Sequence, residues 1–285
     1  MSPEKFRLGL IGFPLEHSLS PQLHQAALQA CDLEGAYRLY PVPPGEKRQT
    51  RLLSLLDLLR CGELQGLNVT IPLKVEVIAL LDDLSPAAQT IGAVNTLYSE
   101  GNRLVGDNTD AAGFLVDLER HFKPGSGFPT NVLVLGAGGA ARAVTYALLH
   151  SGWRVIIAAR RVEQARELVS GRLGDGGGKL LAINLDSQAI REVADGFSLV
   201  INATSMGMVP HNLESPWPVD LPLPKGAFVY DLVYNPAETM LVQQARRSGL
   251  QATNGLGMLV EQAALAFERW TKVAAPRQAM REAVS

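Results

Sequence analysis

The residues with the clearest chemistry run Val132-Leu-Val-Leu-Gly136-Ala137-Gly138-Gly139-Ala140-Ala141-Arg142. An apolar stretch, the spacing Gly-x-Gly-x-x-Ala and a helix-forming stretch follow one another, which predicts strand, tight turn and helix. Gly136 permits the turn, Gly138 lets the backbone approach a pyrophosphate, and Ala141 allows close helix–strand packing. Free N–H groups and the dipole at the helix N-terminus favour an anion there. A glycine turn that serves packing alone is the bland alternative; the flanking strand and helix favour dinucleotide binding. The next apolar run ends in Ala158-Ala159-Arg160-Arg161. An NAD site places Asp or Glu at this offset for the ribose 2′-OH. Two guanidiniums and no carboxylate suit a 2′-phosphate instead, so the cofactor expected is NADP(H). The alternative for Arg160 and Arg161 is a solvated surface pair.

A second set of polar residues comes in short stretches: Ser18-Leu-Ser20-Pro21, Asn68-Val-Thr70-Ile-Pro-Leu-Lys74, Gly92-Ala-Val-Asn95-Thr96 and Gly106-Asp-Asn-Thr109-Asp110. Each has an ordinary explanation alone. Ser20, Thr70 and Asp110 are good N-caps, Asn68 and Asn95 suit turns, and Lys74 reads as a solvated helix lysine. Their joint occurrence at the C-terminal ends of expected strands points to a polar cleft.

These residues need elements to hold them. Phe6–Phe13, Tyr37–Val42 and Leu64–Val69 read as strands, and Ser20 reads as the cap of a helix with Pro21 at its first position. Pro72 opens an expected helix with Leu73, Val77, Leu80, Leu81 and Leu84 on one face. Val94–Tyr98 and Arg103–Asp107 flank Ser-Glu-Gly-Asn and predict a hairpin. Asp110 caps a helix carrying Phe114, Leu115, Leu118 and Phe122. Lys123–Thr130 reads as a loop. A further strand–helix series follows: Val132–Leu135, Ala140–Ser151, Val155–Ala158, Val162–Ser170, Leu180–Asn184, Phe197–Ile201 and Ala227–Asp231. Gly174–Gly178 reads as a mobile loop, Pro210–Lys225 as an irregular surface excursion, and Leu256–Lys272 as a long last helix. Alternating strands and helices imply mainly parallel sheets. The fold class is therefore α/β, with two units in series and a small-molecule cleft expected between them.

Bulk composition narrows the function. The chain has 285 residues, enough for two ordinary domains, with 47% hydrophobic and 19% charged residues. A formal net charge of −2 gives no reason to expect nucleic acid or a membrane surface as partner. Cys31 and Cys61 are too few for a disulfide framework, and the N-terminus lacks an apolar signal segment, so a cytoplasmic location is expected. His17, His24, His121, His150 and His211 show no ligand spacing, and no metal is expected. The sequence leaves the oligomeric state open, a homodimer included.

Taken in order, the stretches resemble the shikimate dehydrogenase family over nearly the whole chain. Its pattern SLSP, NVTxPxK, GAVNT, GDNTD, GAGGAxR, NATSxG and GLGMLxxQ is met at Ser18–Pro21, Asn68–Lys74, Gly92–Thr96, Gly106–Asp110, Gly136–Arg142, Asn202–Gly207 and Gly255–Gln262. The resemblance implies an N-terminal open α/β substrate-binding domain over 1–108 and 247–285, and a Rossmann-like NADP-binding domain over 109–246. Lys74 and Asp110 match the family's catalytic pair. Ser18, Ser20, Asn68, Thr70, Asn95, Tyr234 and Gln262 match residues that hold the carboxylate and hydroxyls of shikimate. Gly136, Ala137, Gly138, Gly139, Ala140, Arg160, Thr204, Ser205, Met206, Leu232, Gly255 and Met258 match cofactor-side positions. The family often reads Asn-Arg-Thr after the second Rossmann strand, with a later basic residue. Here Ala159 and Arg161 flank Arg160 and Gln164 stands at the later position, so Arg161 is counted among the cofactor residues as partial compensation.

The implied reaction is reversible NADPH-dependent reduction of 3-dehydroshikimate to shikimate. Hydride transfer to a ketone leaves an alkoxide that needs a proton, and Lys74 is the expected donor, with Asp110 favouring its charged form. An NAD-using quinate/shikimate dehydrogenase and a non-catalytic ligand-binding paralogue are the rival readings. Ser20 and Arg160 speak against the first, and retention of both Lys74 and Asp110 against the second.

Overall fold

A computed structural model describes residues 6–122, 131–174, 179–193 and 196–285. The chain divides into two compact units, Met1–Gly113 with Val260–Ser285, and Phe114–Leu259.

The first unit runs β1 (Phe6–Gly12), α1 (Ser20–Ala30), β2 (Gly35–Pro41), α2 (Arg48–Arg60), β3 (Gly66–Val69), α3 (Leu73–Glu76), a 3-10 turn (Val77–Leu80), β4 (Asp83–Leu84), α4 (Pro86–Ile91), β5 (Thr96–Glu100) and β6 (Arg103–Asp107). The strands form one sheet in the order β2-β1-β3-β5-β6-β4. β1 is parallel to β2 and β3, and β4 to β6. Only β5 runs against its neighbours. One face of the sheet packs Ile11, Leu67, Val69 and Leu97 against the α2 leucines and Leu73 and Val77. The opposite face packs Leu8, Leu10, Tyr37 and Tyr98 with Ala266 and Trp270. The alternation of Leu8, Leu10 and Ile11 between these faces is the period-two signature of a strand buried on both sides.

The chain leaves this unit within α5 (Asp110–His121). The second unit then runs β7 (Asn131–Leu135), α6 (Gly139–His150), β8 (Arg154–Ala159), α7 (Val162–Ser170), β9 (Leu180–Asn184), α8 (Ser187–Val193), β10 (Phe197–Asn202), β11 (Phe228–Asp231), α9 (Met240–Arg247) and β12 (Ala252–Asn254). The chain returns within α10 (Leu256–Thr271) and ends with α11 (Arg277–Glu282). The second sheet has the order β12-β11-β10-β7-β8-β9, with every paired neighbour parallel. Numbered within the unit, and read from the β9 edge, this is 3-2-1-4-5-6, the doubly wound order whose switch point lies between β7 and β10.

Several local expectations are corrected. The helix expected from Pro72 to Leu84 is one α turn and one 3-10 turn, after which the chain extends at Leu81 and pairs as β4 with β6. The Asp82 carboxylate accepts from Leu104 N and holds that extension. Ser20 is the first helical residue rather than the cap: α1 is capped at Leu19 without a side-chain bond. Helix α2 escaped the periodicity because leucines surround it. Leu52, Leu55, Leu56 and Leu59 are buried while Leu53 and Leu58 are exposed, which blurs the stripe. The Pro210–Lys225 excursion is irregular, yet Trp217, Leu221 and Leu223 sink into the core beneath β10 and β11. There Trp217 Nε1 donates to Leu221 O. Leu256–Thr271 is not the last helix, since α11 is tied back to it by Arg277 and Arg281 on buried Glu261. The loop read at Lys123–Thr130 and the part of the Gly174–Gly178 loop beyond Gly174 lie outside the described residues.

Candidate active site

In the first unit, parallel strands β1, β3 and β6 end at one edge of the sheet, and reversed β5 begins there. That edge brings together segments distant in sequence. Lys74 follows β3, Asn95 precedes β5 and Asp110 follows β6. The Lys74 ammonium donates to Asp110 Oδ2 at 2.5 Å, with side-chain exposures of 15% and 6%. Asp110 Oδ1 accepts from Asn95 Nδ2 at 2.8 Å. Asp110 is therefore not spent on capping α5; Asn108 Oδ1 accepts Ala111 N instead. Nor is Lys74 a solvated surface lysine. The ordinary explanations of these two residues fail on geometry.

Asn95 is the hub of the edge. Its Nδ2 also lies within reach of Thr109 Oγ1 and Gln262 Oε1. Its Oδ1 accepts from Thr109 N at 2.8 Å and from Thr96 Oγ1 at 2.9 Å. Gln262, on α10, is held close because Gly113 leaves room: a Cβ at Gly113 would stand 2.7 Å from Gln262 N. Asn68 Nδ2 donates to Asn95 O, and its Oδ1 accepts from Tyr37 OH at 2.9 Å. Thr70 N donates to Ile11 O, fixing the end of β3 to β1, and Thr70 Cγ2 fills the space a side chain at Gly12 would need. Ser18 and Ser20 stand on the β1–α1 connection, where Ser18 Oγ accepts from Ser20 N. Tyr234 belongs to the second unit, on the segment after β11.

Behind Asn68 lies a group the motif reading did not single out. His24 is fully buried and stacks on Tyr37 at 4.3 Å and 2°. Neither of its ring nitrogens has a partner of hydrogen-bonding geometry among the described residues. Burial drives its pKa down to about 3, against a weaker upward pull from the Asn68 side chain, so the ring is neutral. Tyr37 and His24 were missed because their partners come from other elements, and no local spacing announces them.

In the second unit the cofactor-side positions also share one edge, the C-terminal ends of the parallel strands. Gly136 follows β7 with φ of +110°, and a Cβ there would meet Thr204 Cγ2 at 3.0 Å. Gly138 caps α6 and has open space where a Cβ would point. The turn therefore offers bare backbone and a helix N-terminus, the cradle a pyrophosphate requires. Gly139 and Ala140 open α6, with Ala137 buried in the turn before it. Arg160 and Arg161 follow β8; both are exposed, and neither is ion-paired among the described residues. Two exposed guanidiniums at this offset fit a 2′-phosphate. Thr204, Ser205 and Met206 follow β10, and Leu232 follows β11. Gly255 follows β12, where a Cβ would collide with Leu232 O at 2.1 Å. Met258 lies buried on the first turn of α10.

Comparison with known proteins agrees with both halves. Residues 10–97 match the family model of the shikimate dehydrogenase substrate binding domain, and residues 255–284 that of the shikimate 5′-dehydrogenase C-terminal domain. The chain is 41% identical to the NADP(+) shikimate dehydrogenase of Carboxydothermus hydrogenoformans over 97% of its length and 95% of the relative's. The chain belongs to the shikimate dehydrogenase family. The enzyme of the same name from Methanopyrus kandleri is 43% identical, covering 97% of this chain and 94% of its own. The crystal structure of shikimate 5-dehydrogenase from Thermus thermophilus, in complex with NADP(H) and shikimate, superposes with a TM-score of 0.82 at 38% identity, covering 98% of each chain. The family resemblance of the seven motifs is borne out, and so is the fold class: a substrate-binding α/β domain and a Rossmann-like domain. No described helix is long and apolar enough to cross a membrane.

Proposed function

We propose that the chain catalyses the reversible NADPH-dependent reduction of 3-dehydroshikimate to shikimate. The observation that carries this reading is the part-buried Lys74–Asp110 pair, held by Asn95 at the strand edge that also carries Ser18, Ser20, Asn68, Thr70 and Gln262. In this reading the first unit binds the substrate and the second binds NADP(H) through the Gly136–Ala140 turn, Arg160, Arg161, Thr204–Met206, Leu232, Gly255 and Met258. Tyr234 is read as a further substrate contact.

Bound NADPH supplies the hydride. Lys74 donates a proton to the oxygen that becomes alkoxide and recovers it in the reverse direction. Asp110 orients the ammonium through Oδ2 while Asn95 fixes Oδ1, so the donor stands in one geometry before substrate arrives. The amides and hydroxyls of the edge suit a substrate with several hydroxyl groups, and would leave buried polar atoms unpaired with an analogue lacking them. The reading places the enzyme in the cytoplasm, with small molecules rather than nucleic acid or membrane as partners; a homodimer is compatible with it.

The test is initial rates of the purified protein with shikimate and with quinate, each with NADP⁺ and with NAD⁺. Turnover confined to shikimate with NADP⁺ supports the reading. Comparable rates with quinate or NAD⁺ move the chain to a dual-specificity enzyme. Ligand binding without turnover in every pair overturns it.

A further inference from the structure

The second unit contains a buried carboxylate to which no family motif assigned a role. Asp231 ends β11 and is wholly shielded from solvent. Three groups donate to it. Asn202 Nδ2 and Val233 N reach Oδ1 at 2.8 and 3.0 Å, and Thr239 Oγ1 reaches Oδ2 at 2.6 Å. Each donor controls a different piece of the same sheet edge.

Asn202, at the end of β10, shapes the Thr204–Met206 loop. Its Oδ1 accepts from Thr204 N and Thr204 Oγ1, its Nδ2 donates to Met206 O, and Thr204 Oγ1 accepts from Met206 N. Val233 N fixes the segment that carries Leu232, whose own N donates to Asn202 O. Thr239 caps α9 by accepting from Val242 N, and its side chain backs Gly207, which has φ of +95° and closes the loop after Met206. One carboxylate thus joins the loop after β10, the segment after β11 and the start of α9.

Stability alone does not favour a carboxylate here. Burial pushes the Asp231 carboxyl up to about 6, against the opposing pull of Thr239, Val233 and Asn202. At neutral pH it is ionised at a cost an uncharged residue of the same shape would avoid. An ionised carboxylate only accepts, so all three donors are committed in one arrangement, with bonds stronger than a neutral amide would give.

We propose that Asp231 is a positioning residue for NADP(H): its carboxylate presets the Thr204–Met206 loop and Leu232 in the conformation that receives the cofactor. The identity of the ligand rests on the function proposed above. Asp231 touches no reacting atom and acts only through Asn202, Val233 and Thr239.

The test compares wild type with Asp231→Asn, Thr239→Val and Thr239→Ser. NADPH affinity is measured by calorimetric titration, thermal melting reports folding, and steady-state kinetics use shikimate and NADP⁺. Asp231→Asn and Thr239→Val are expected to weaken NADPH binding about five- to twentyfold. The KM for NADP⁺ should rise in step, while kcat at saturation and the KM for shikimate stay within about threefold. Thr239→Ser keeps the hydroxyl and should bind within about twofold of wild type. A folded Asp231→Asn protein with wild-type affinity overturns the proposal. If that variant does not fold, equal affinities of Thr239→Val and Thr239→Ser overturn it. Wild-type protein that binds NADPH but does not oxidise shikimate defeats the proposed reaction and leaves the affinity comparison decisive. Wild-type protein that does not bind NADPH defeats both.

Discussion

Replacing Lys74 by Met tests the catalytic pair on two independent readouts. Met keeps the length of the side chain and removes the ammonium. If Lys74 is the proton donor and acceptor, kcat for shikimate oxidation should fall at least about a hundredfold, equivalent to about 2.7 kcal/mol of transition-state stabilisation. The second readout follows from burial. Asp110 is 6% exposed and would keep only the Asn95 amide as partner at the shielded end of the pair. Removing one member of a buried ion pair costs about 3–5 kcal/mol, because the remaining charge is uncompensated. Urea unfolding at pH 7 should show a loss of that order. The double substitution Lys74→Met with Asp110→Asn removes the stranded charge, and Asn at 110 can still accept from Asn95. The double variant should therefore be more stable than Lys74→Met alone while remaining inactive. NADPH affinity should stay within about twofold in both, since the expected cofactor residues lie in the other unit. A Lys74→Met enzyme with kcat within tenfold of wild type refutes the proton-transfer role. A double variant no more stable than the single one refutes the argument that the pair is a compensated buried charge.

Three further perturbations probe the surroundings. Because His24 is held at about 3 against an ordinary 6.5, the folded state disfavours its protonation. Its contribution is complete above about pH 6.5 and is lost as pH falls towards 3. His24→Phe keeps a ring against Tyr37 and should lose roughly 3 kcal/mol less stability than wild type between pH 6.5 and 4; parallel urea midpoints over that range would contradict this. Tyr37→Phe deletes the donor to Asn68 Oδ1 and leaves that amide held through Nδ2 alone. It should raise the KM for shikimate about two- to tenfold and leave the KM for NADP⁺ unchanged, and an unaltered shikimate KM would remove Asn68 from the substrate site. Arg160→Ala should weaken NADP⁺ about ten- to a hundredfold and NAD⁺ hardly at all, measured as the ratio of the two dissociation constants. An unchanged ratio would return Arg160 to the solvated surface.

Legibility followed the distance over which residues communicate. The Gly136 turn could be read because strand, turn and helix are consecutive in sequence, and their roles depend on neighbours a few residues away. Lys74, Asn95 and Asp110 could be marked as polar residues at strand ends, but their bonding could not. Each residue alone fitted a cap, a turn or a surface lysine, and only the sheet order β3-β5-β6 makes them neighbours. Helix α2 was hidden by an excess of apolar residues. The expected helix after Pro72 was overstated because Leu80, Leu81 and Leu84 keep a helical spacing while they pack on the same core from a 3-10 turn, the extended residue after it and a strand.

His24, Tyr37, Asn202, Asp231 and Thr239 form the deeper level of the same pattern. Tyr37 bonds Asn68 on a neighbouring strand, His24 stacks on Tyr37, and Asp231 joins the end of β10 to the start of α9. Asp231 could be read only as the last residue of an apolar strand, although it bonds Asn202, 29 residues earlier, which shapes the Thr204–Met206 loop. In both units, the polar side chains that sequence motifs mark at the sheet edge rest on buried polar partners, of which Asn202 alone stands in a motif. Such partners are costly to bury and gain little stability for a fold already supplied with apolar cores. Their physical effect is to allow one arrangement of the edge, with Asn95 and Asn68 fixed in one unit and Thr204 and Leu232 in the other. Positions that bind or react by geometry need that restriction, and it explains why buried polar groups concentrate at the strand ends while the sheet interiors are almost wholly apolar.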